Sequence, residues 1–531
     1  MSTDTSASSD LGTAPPNAGV VLGTLILAAA VANMNLTVAN VALPDIGQSF
    51  NASQLTLNLI AVSYSLGLAA SVLWFGALGD RYGRKLMITA GLALAIPASL
   101  VAGLAPSAGV LIAARIVGGL SAGLTYPTTL ALITVLWSGQ KRTHAIASWS
   151  ALGTGSAVIG PLLSGLLLEY FDWGSVFLVT IPLAAIGLLL AWRFVPAHLA
   201  EADEPVDNLG GVVSVLMIGS LVVALNLIAA PGMFTTAIVL IAVAVVLGIG
   251  FVIRQQRATN PLYELPVARR PTFWVAAVAG IIIFGSLMGV LFINQQYLQN
   301  VLDYSSLEAG AAILPAVVVM VLVAPRSAQL VHQWGSRATL LVGQSLLGLS
   351  FVGMFVLWGD STSYWIVSIP LLLMGLGIGL AQTPSSNSLT ASVPIRRVGM
   401  ASGTADLQRD LGGALMTSIF GALLTAGYAS AMSDAIGASG ENVTESTQNQ
   451  LQMSFASASN IAKSNPQYSD QIIAAARSSF LDGDRLAYTA GFVSVILGAS
   501  LVFFFFPHRT DEERLHEQYQ TEETSASARP S

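Results

Sequence analysis

The sequence predicts an all-α polytopic membrane protein, with fourteen transmembrane helices arranged as two six-helix bundles and an inserted pair between them. Three observations lead there. Of 531 residues, 54% are hydrophobic and only 9% are charged, whereas a soluble chain carries about 25% charged residues. That balance excludes a water-soluble enzyme. A hydrocarbon layer of about 30 Å needs roughly 20 apolar residues per helical crossing, so the length supplies on the order of fourteen crossings with short loops. Finally, Lys and Arg segregate to alternate loops.

Apolar runs fall at 19–43, 56–78, 86–104, 108–136, 145–168 and 174–195. A second series follows at 209–230, 234–253, 272–297, 307–331, 338–358, 364–389, 400–428 and 487–506. Six plus eight gives fourteen. The acidic linker from Glu201 to Asp207 and the basic segment from Arg254 to Pro271 bracket one hydrophobic pair. The organisation is therefore read as a disordered N-terminal tail (1–18), a six-helix bundle (19–200), an inserted pair (208–254), a second bundle (272–506) and a disordered cytoplasmic tail (507–531). The long loop at 429–485, rich in Ser, Ala, Asn and Gln, is expected to be a folded hairpin or lid, with stretches such as Gln471 to Phe480 as short surface helices.

An even number of spans puts both ends on one side. Arg81, Arg84, Lys85, Lys141, Arg142, Arg193, Arg254, Arg257, Arg269, Arg270, Arg337, Arg396 and Arg397 share that side, against Lys463, Arg477 and Arg485 on the other. The basic side is cytoplasmic by the positive-inside rule, in a cell (plasma) membrane. The first residues hold Asp4 and Asp10 but no Lys or Arg, unlike a signal peptide, so the first apolar run is read as a retained helix. The formal charge of −6 arises largely from tails and one loop, and suggests no nucleic-acid partner. With no cysteine there is no disulfide, thiolate nucleophile or Cys-ligated metal. No cofactor or metal is expected. The glycine strings at 375–379 and 153–155 lie inside apolar helices, where close packing explains them, and no GxxxxGK loop exists. Energy must come from a gradient.

The loop after the second run reads Gly76-Ala-Leu-Gly79-Asp80-Arg81-Tyr-Gly83-Arg84-Lys85. Gly83 permits a tight turn, Asp80 can cap a helix and pair with a cation, and the basic trio sits at the interface. This spacing resembles the signature of the major facilitator superfamily. Asn40-Val-Ala-Leu-Pro44, Arg115-Ile-Val-Gly-Gly119, Gly160-Pro161-Leu-Leu-Ser164-Gly165 and the segment from Trp173 to Pro182 narrow the resemblance to its fourteen-helix drug:proton antiporters, the Emr and Qac type. Gly118, Ser164 and Thr180 stand where that family more often has Gln, Gly and Asn. A weaker echo of the loop runs from Ala328 through Gly335 to Arg337, as two related halves require. The resemblance implies a buried-arginine site at Arg115, an export-type antiporter motif at Gly160, Pro161 and Gly165, and a conformational role for the Asp80 loop. Read by chemistry alone, Arg115 needs partners or a wet cavity, and a structural carbonyl clamp also satisfies it.

The thirteenth run carries Asp406, Arg409 and Asp410. At 1.5 Å per residue from Val398, the two acids lie about 12 and 18 Å deep, on one helical face. Two carboxylates in low dielectric repel and lose hydration, which favours proton uptake by one of them. The alternative is an Asp–Arg pair closed within one helix for stability. Where the family has a first-helix Asp, this chain has Asn35, beside Asn33. An amide cannot titrate, so coupling has moved to Asp406 and Asp410, differs, or is absent. The five His residues all fall in loops, at membrane edges or in the tail.

The expected function is proton-coupled efflux of amphipathic or hydrophobic small molecules by alternating access, through a monomer in the lipid bilayer, with no enzymatic activity. By depth, the pocket would be lined by Asn33, Asn35, Trp149, Phe284, Phe292, Gln295, Gln296 and Gln382. The rivals are an exporter of a native metabolite or lipid without obligatory proton coupling, and a transport-inactive scaffold or sensor. The topology predicts that tags at both ends are protected in intact cells while the 429–485 loop is labelled from outside; external labelling of the N-terminus would overturn it.

Overall fold

The computed structural model describes residues 17–137, 139–196, 205–228, 232–392, 398–439, 443–515 and 518. Among these residues every regular element is helical, as hydrocarbon demands when each backbone N–H and C=O must be satisfied within its own segment. The first six spans are α1 (Ala18–Phe50), α2 (Gln54–Tyr82), α3 (Arg84–Gly103), α4 (Ala108–Leu136), α5 (Gly139–Leu168) and the successive α6 (Ser175–Leu178) and α7 (Thr180–Phe194). The pair α8 (Asn208–Leu227) and α9 (Phe234–Arg257) follows, then the short α10 (Leu265–Ala268). The remaining spans are α11 (Pro271–Asn300), α12 (Ser306–Ala312) with α13 (Leu314–Leu357), α14 (Tyr364–Ala391), α15 (Val398–Ser439) and α18 (Ser469–Phe505), with α16 (Glu445–Met453) and α17 (Phe455–Ser464) between the last two.

Among the described residues thirteen helices are long and apolar enough to cross a membrane, with α12 and α13 contributing two of them, Ser306–Ser327 and Gln329–Leu357. The thirty residues of α5 span about 45 Å and supply the fourteenth.

Two groups of helices pack within themselves. In the first, α1 meets α5 and α7, α2 meets α4, and α3 meets α4 and α7; in the second, α11 meets α14, α15 and α18, and α13 meets α14 and α18. Across the seam, α2 packs on α15, α5 on α12 and α1 on α11. The inserted α8 fills one side of this seam: Ile218 and Val222 pack with Val62, Leu66 and Ala70 of α2 and Ala414 of α15. Asn226 donates to Ser418 on α15 (2.7 Å), and Trp74 on α2 donates to Asn208 (3.0 Å). Asp207, from the acidic linker, caps α8 through the Gly210 amide (3.0 Å) and accepts from Arg254 and Gln255 of α9.

The two ends of the helix bundle differ. At one end lie the turns that carry Gly83 and Gly335; at the other lie α16 and α17. Gly83 (φ 99°) separates α2 from α3, and Gly335 (φ 84°) breaks α13 into two helical segments, the corresponding place in the second half. Only glycine adopts such a backbone without strain. The internal echo in the sequence is thus repeated in backbone geometry.

Two sequence expectations are corrected. Helix α15 continues to Ser439 and α18 begins at Ser469, so the hairpin is confined to α16, α17 and a 3-10 turn at Pro466–Tyr468. Gln471 to Phe480 belongs to α18 rather than to a separate surface helix. The hydrogen-bond ladder of a helix extends past the hydrocarbon wherever Ala, Ser and Gln maintain it, and apolar runs do not report that extension. Likewise residues 509–515, expected to be disordered, form a helical turn against the Gly335 break. Arg509 donates to Gln333 O (2.7 Å), the carbonyl end of one helical segment, and buried Glu512 accepts from the Ser336 amide (3.3 Å), the start of the next. A cation at a C-terminus and an anion at an N-terminus each satisfy orphan backbone groups.

Removing that cap should cost about 1 kcal/mol. Glu512→Ala is therefore expected to lower the apparent Tm of the detergent-purified protein by about 2 °C, followed by Trp fluorescence, with Glu512→Gln intermediate. An unchanged Tm would show that the turn holds itself.

Candidate functional site

Among the described residues the seam between the two groups of helices contains one cluster of ionisable side chains well inside the spans. Asp406 and Asp410 are buried on α15. The Arg409 Nε lies 3.3 Å from Asp410 Oδ1, while the other oxygen, Oδ2, is buried without a hydrogen-bond partner. The Arg409 guanidinium leaves its own helix group, crosses the seam and lies over the ring of Tyr126 on α4, 4.2 Å from the centroid, with Nη1 donating to the Tyr126 hydroxyl. Tyr126 in turn packs on Trp149 of α5 (centroids 5.4 Å apart), and Trp149 is pinned by its Nε1 hydrogen bond to Thr129 (3.0 Å). Two buried carboxyl groups thus share one helical face beside one guanidinium, which leaves the cluster one positive charge short when both acids are ionised. A proton or one further cation restores neutrality, and low dielectric makes that preference strong.

Tyr126 escaped the sequence reading because it stands 283 positions from Arg409. The local signal was the polar stretch Thr125-Tyr126-Pro127-Thr128-Thr129 inside an otherwise apolar helix.

At the hairpin end the seam is closed by direct contact. Gln54 on α2 donates to Gln296 on α11 (3.1 Å), Asn58 on α2 to Thr425 on α15 (2.8 Å), and Gln299 to Val41 O on α1 (3.1 Å). Gly165 and Gly310 let α5 and α12 touch backbone to backbone: a Cβ on Gly165 would lie 2.6 Å from Ser306 O, and one on Gly310 2.7 Å from Pro161 O. Gly160 faces α1 instead, where a Cβ would meet Thr37 Oγ1 at 2.5 Å. The hairpin, which comes from the second group, docks on the first: Ser454 donates to Ala52 O (2.9 Å) and Lys463 to Gln48 (3.0 Å).

Arg115 is buried and held by backbone carbonyls, with Nε donating to Ile60 O (2.7 Å), Nη1 to Asn35 O (3.3 Å) and Nη2 to Ala61 O (3.4 Å). The geometry is that of a carbonyl clamp joining α1, α2 and α4. Asn35 turns toward Ser99 and Thr180 (Oδ1 to hydroxyls at 3.5 and 3.4 Å), inside the first group of helices. Of the remaining pocket candidates, Gln295 donates to Ala309 O (3.0 Å) and Phe292 is fully buried among apolar neighbours. Asn33 and Phe284 are buried, and Gln382 is half-buried on α14. The structure brings Trp149 to the charged cluster and Gln296 to the closed end of the seam.

In the loop motif, Gly76 has open space around it and Arg84 Nη1 reaches Ala131 O on α4 (3.5 Å). Arg81 and Lys85 are half-buried. Asp80 lies in the last turns of α2; its side chain is outside the described residues.

The sequence profile of the Major Facilitator Superfamily matches residues 25–417. The chain is 30% identical over 490 residues to "Multidrug efflux pump LfrA" of Mycolicibacterium smegmatis, covering 92% of this chain and 95% of that protein. It is also 30% identical over 476 residues to "Methyl viologen resistance protein SmvA" of Salmonella typhimurium, covering 88% and 94%. Among solved structures, a bacterial homolog of the human lysosomal transporter Spinster superposes with a TM-score of 0.64 at 18% identity, over 94% of this chain and 99% of that one.

The glycine contacts generate a test. Gly165→Val forces α5 off α12, and overpacking of this kind costs about 1–3 kcal/mol. The closed hairpin end should lose about tenfold in population, read as a longer distance between spin labels at Asn51 and Asn300. An unchanged distance distribution would mean that the contact does not hold the seam.

Proposed function

Because the chain belongs to the Major Facilitator Superfamily, whose members are transporters, we propose that it is a proton-coupled exporter of amphipathic or hydrophobic small molecules that works by alternating access. The observation that carries this reading is the surplus negative charge of Asp406 and Asp410 against Arg409, buried at the seam about which the two six-helix bundles would rock. A proton and a cationic or polar substrate compete for the one missing charge, so loading of either expels the other. The names of two relatives, a multidrug efflux pump and a methyl viologen resistance protein, support export, and methyl viologen is itself an organic cation.

In this reading the turn end is cytoplasmic, both chain ends lie there, the hairpin faces outward, and a monomer in the plasma membrane is the working unit. The outer end of the seam is then closed by Gly165, Gly310 and the glutamine and asparagine bridges, which describes a conformation that loads from the cytoplasm. The Asp80 loop acts on the equilibrium between conformations and Arg115 stiffens the first bundle. A second reading, export without proton coupling, is favoured by Asn35, an amide engaged with Ser99 and Thr180 that cannot titrate.

Everted vesicles separate the two. Extrusion of a fluorescent dye should collapse on adding a protonophore, and should fall at least tenfold in the Asp406→Asn/Asp410→Asn double variant. Dye movement that ignores the protonophore would favour the second reading, and a well-folded double variant with wild-type transport would remove these acids from the mechanism.

A further inference from the structure

The surplus-charge site has an aromatic wall whose occupant is a side chain of the protein. Arg409 lies flat-face distance from the Tyr126 ring, 4.2 Å from guanidinium carbon to ring centroid, and donates to its hydroxyl. The ring cannot move aside freely. Trp149 backs it at 5.4 Å and is fixed by Thr129, while Tyr126 itself is buried. The same guanidinium has its Nε 3.3 Å from Asp410 Oδ1, the Asp410 Oδ2 is unpartnered, and Asp406 is one helical turn away on α15. A planar, delocalised cation is therefore held by an aromatic face and a carboxylate. Guanidinium is the protein's own member of that chemical class.

We propose that Tyr126 is a specificity-determining residue: its face and the two aspartates form a seat for a flat organic cation, and Arg409 is a tethered occupant that the substrate displaces. This rests on the exporter reading and names its preferred cargo and the contact that selects it. The displacement has a second consequence. Arg409 belongs to α15 and Tyr126 to α4, so their contact ties the second bundle to the first within the seam. A substrate that takes the seat breaks this covalently tethered tie and replaces it with one that can leave, which is how binding would bias the rocking equilibrium. A neutral substrate gains no charge attraction from the ring face or from the carboxylates, too little to displace the guanidinium, and leaves Arg409 seated.

The sign of the effect distinguishes a competitor from a structural strut. Arg409→Lys keeps the charge but substitutes a compact ammonium that stacks poorly, so the seat becomes easier to take. Ethidium should bind the detergent-purified Arg409→Lys protein about fivefold more tightly than wild type by fluorescence anisotropy, whereas Tyr126→Leu, which removes the wall, should bind about tenfold more weakly. Tyr126→Phe keeps the face and should remain within about threefold of wild type. Nile red, a neutral dye, should have nearly the same Kd in all four proteins. In transport by the same vesicles, Tyr126→Leu should raise KM for ethidium by a larger factor than it changes kcat, which loss of the tie between the bundles also alters. Weaker ethidium binding in Arg409→Lys, or equal losses for ethidium and Nile red in Tyr126→Leu, would make the contact structural and overturn the proposal. Wild-type vesicles that export Nile red but not ethidium would overturn it while leaving the exporter reading intact; wild-type vesicles that export neither dye would overturn both.

Discussion

The arrangement depends on the cost of charge in hydrocarbon. An ionised side chain at the centre of a membrane helix costs about 3 kcal/mol on insertion scales, and α15 carries three such groups within five positions, Asp406, Arg409 and Asp410. One carboxylate is matched by the neighbouring guanidinium. The other is not, and Arg409 itself divides its contacts between Asp410 on its own helix and Tyr126 across the seam on α4. The seam at this level is therefore held by a polar contact, and in the proposed mechanism a proton or another cation renegotiates it. Elsewhere the described contacts between the membrane-spanning helices of the two bundles are made by apolar side chains, backbone and uncharged amide and hydroxyl groups, none of which carries a charge.

Those other contacts are concentrated where they can close one end. Gly165 and Gly310 remove the side chains that would separate α5 from α12, and Gln54, Asn58 and Gln299 bridge the bundles nearby. The hairpin adds a strap from the second bundle to α1. The inserted α8 seals the flank of the α2–α15 seam through Asn226 and Trp74. In the proposed mechanism these contacts make a firm end, the charged cluster a renegotiable middle, and the two related glycine breaks a turn end through which the bundles are steered. Arg115, in contrast, spends all its hydrogen bonds on carbonyls of its own bundle, which suits a rigid body that moves as a unit.

Much of this was legible from residue order. Span positions follow from apolar runs, because lipid imposes one length and one secondary structure on every crossing. The Gly83 turn and its echo at Gly335 followed from motif spacing, and the shared face of Asp406 and Asp410 from helical geometry. What was not legible is long-range or amphipathic. Tyr126 becomes part of the site only because α4 and α15 meet across the seam, a contact that no local pattern encodes. Asn35 was placed in the pocket by depth alone, yet depth does not say which way a side chain turns, and Ser99 and Thr180 hold it inward. The upper half of α18 and the segment at 509–515 were assigned to loop and tail because their polar residues resemble linkers; the former is ordered by continuing a helix, the latter by capping a broken one.

The central claim is that the cluster on α15 holds one exchangeable positive charge, taken either by a proton or by substrate. Its most direct test is proton release on substrate addition to the purified protein in weakly buffered detergent near neutral pH. The account predicts that saturating ethidium releases close to one proton per molecule from wild type and none from the Asp406→Asn/Asp410→Asn double variant. Ethidium binding to wild type without proton release, or equal release from the folded double variant, would contradict it.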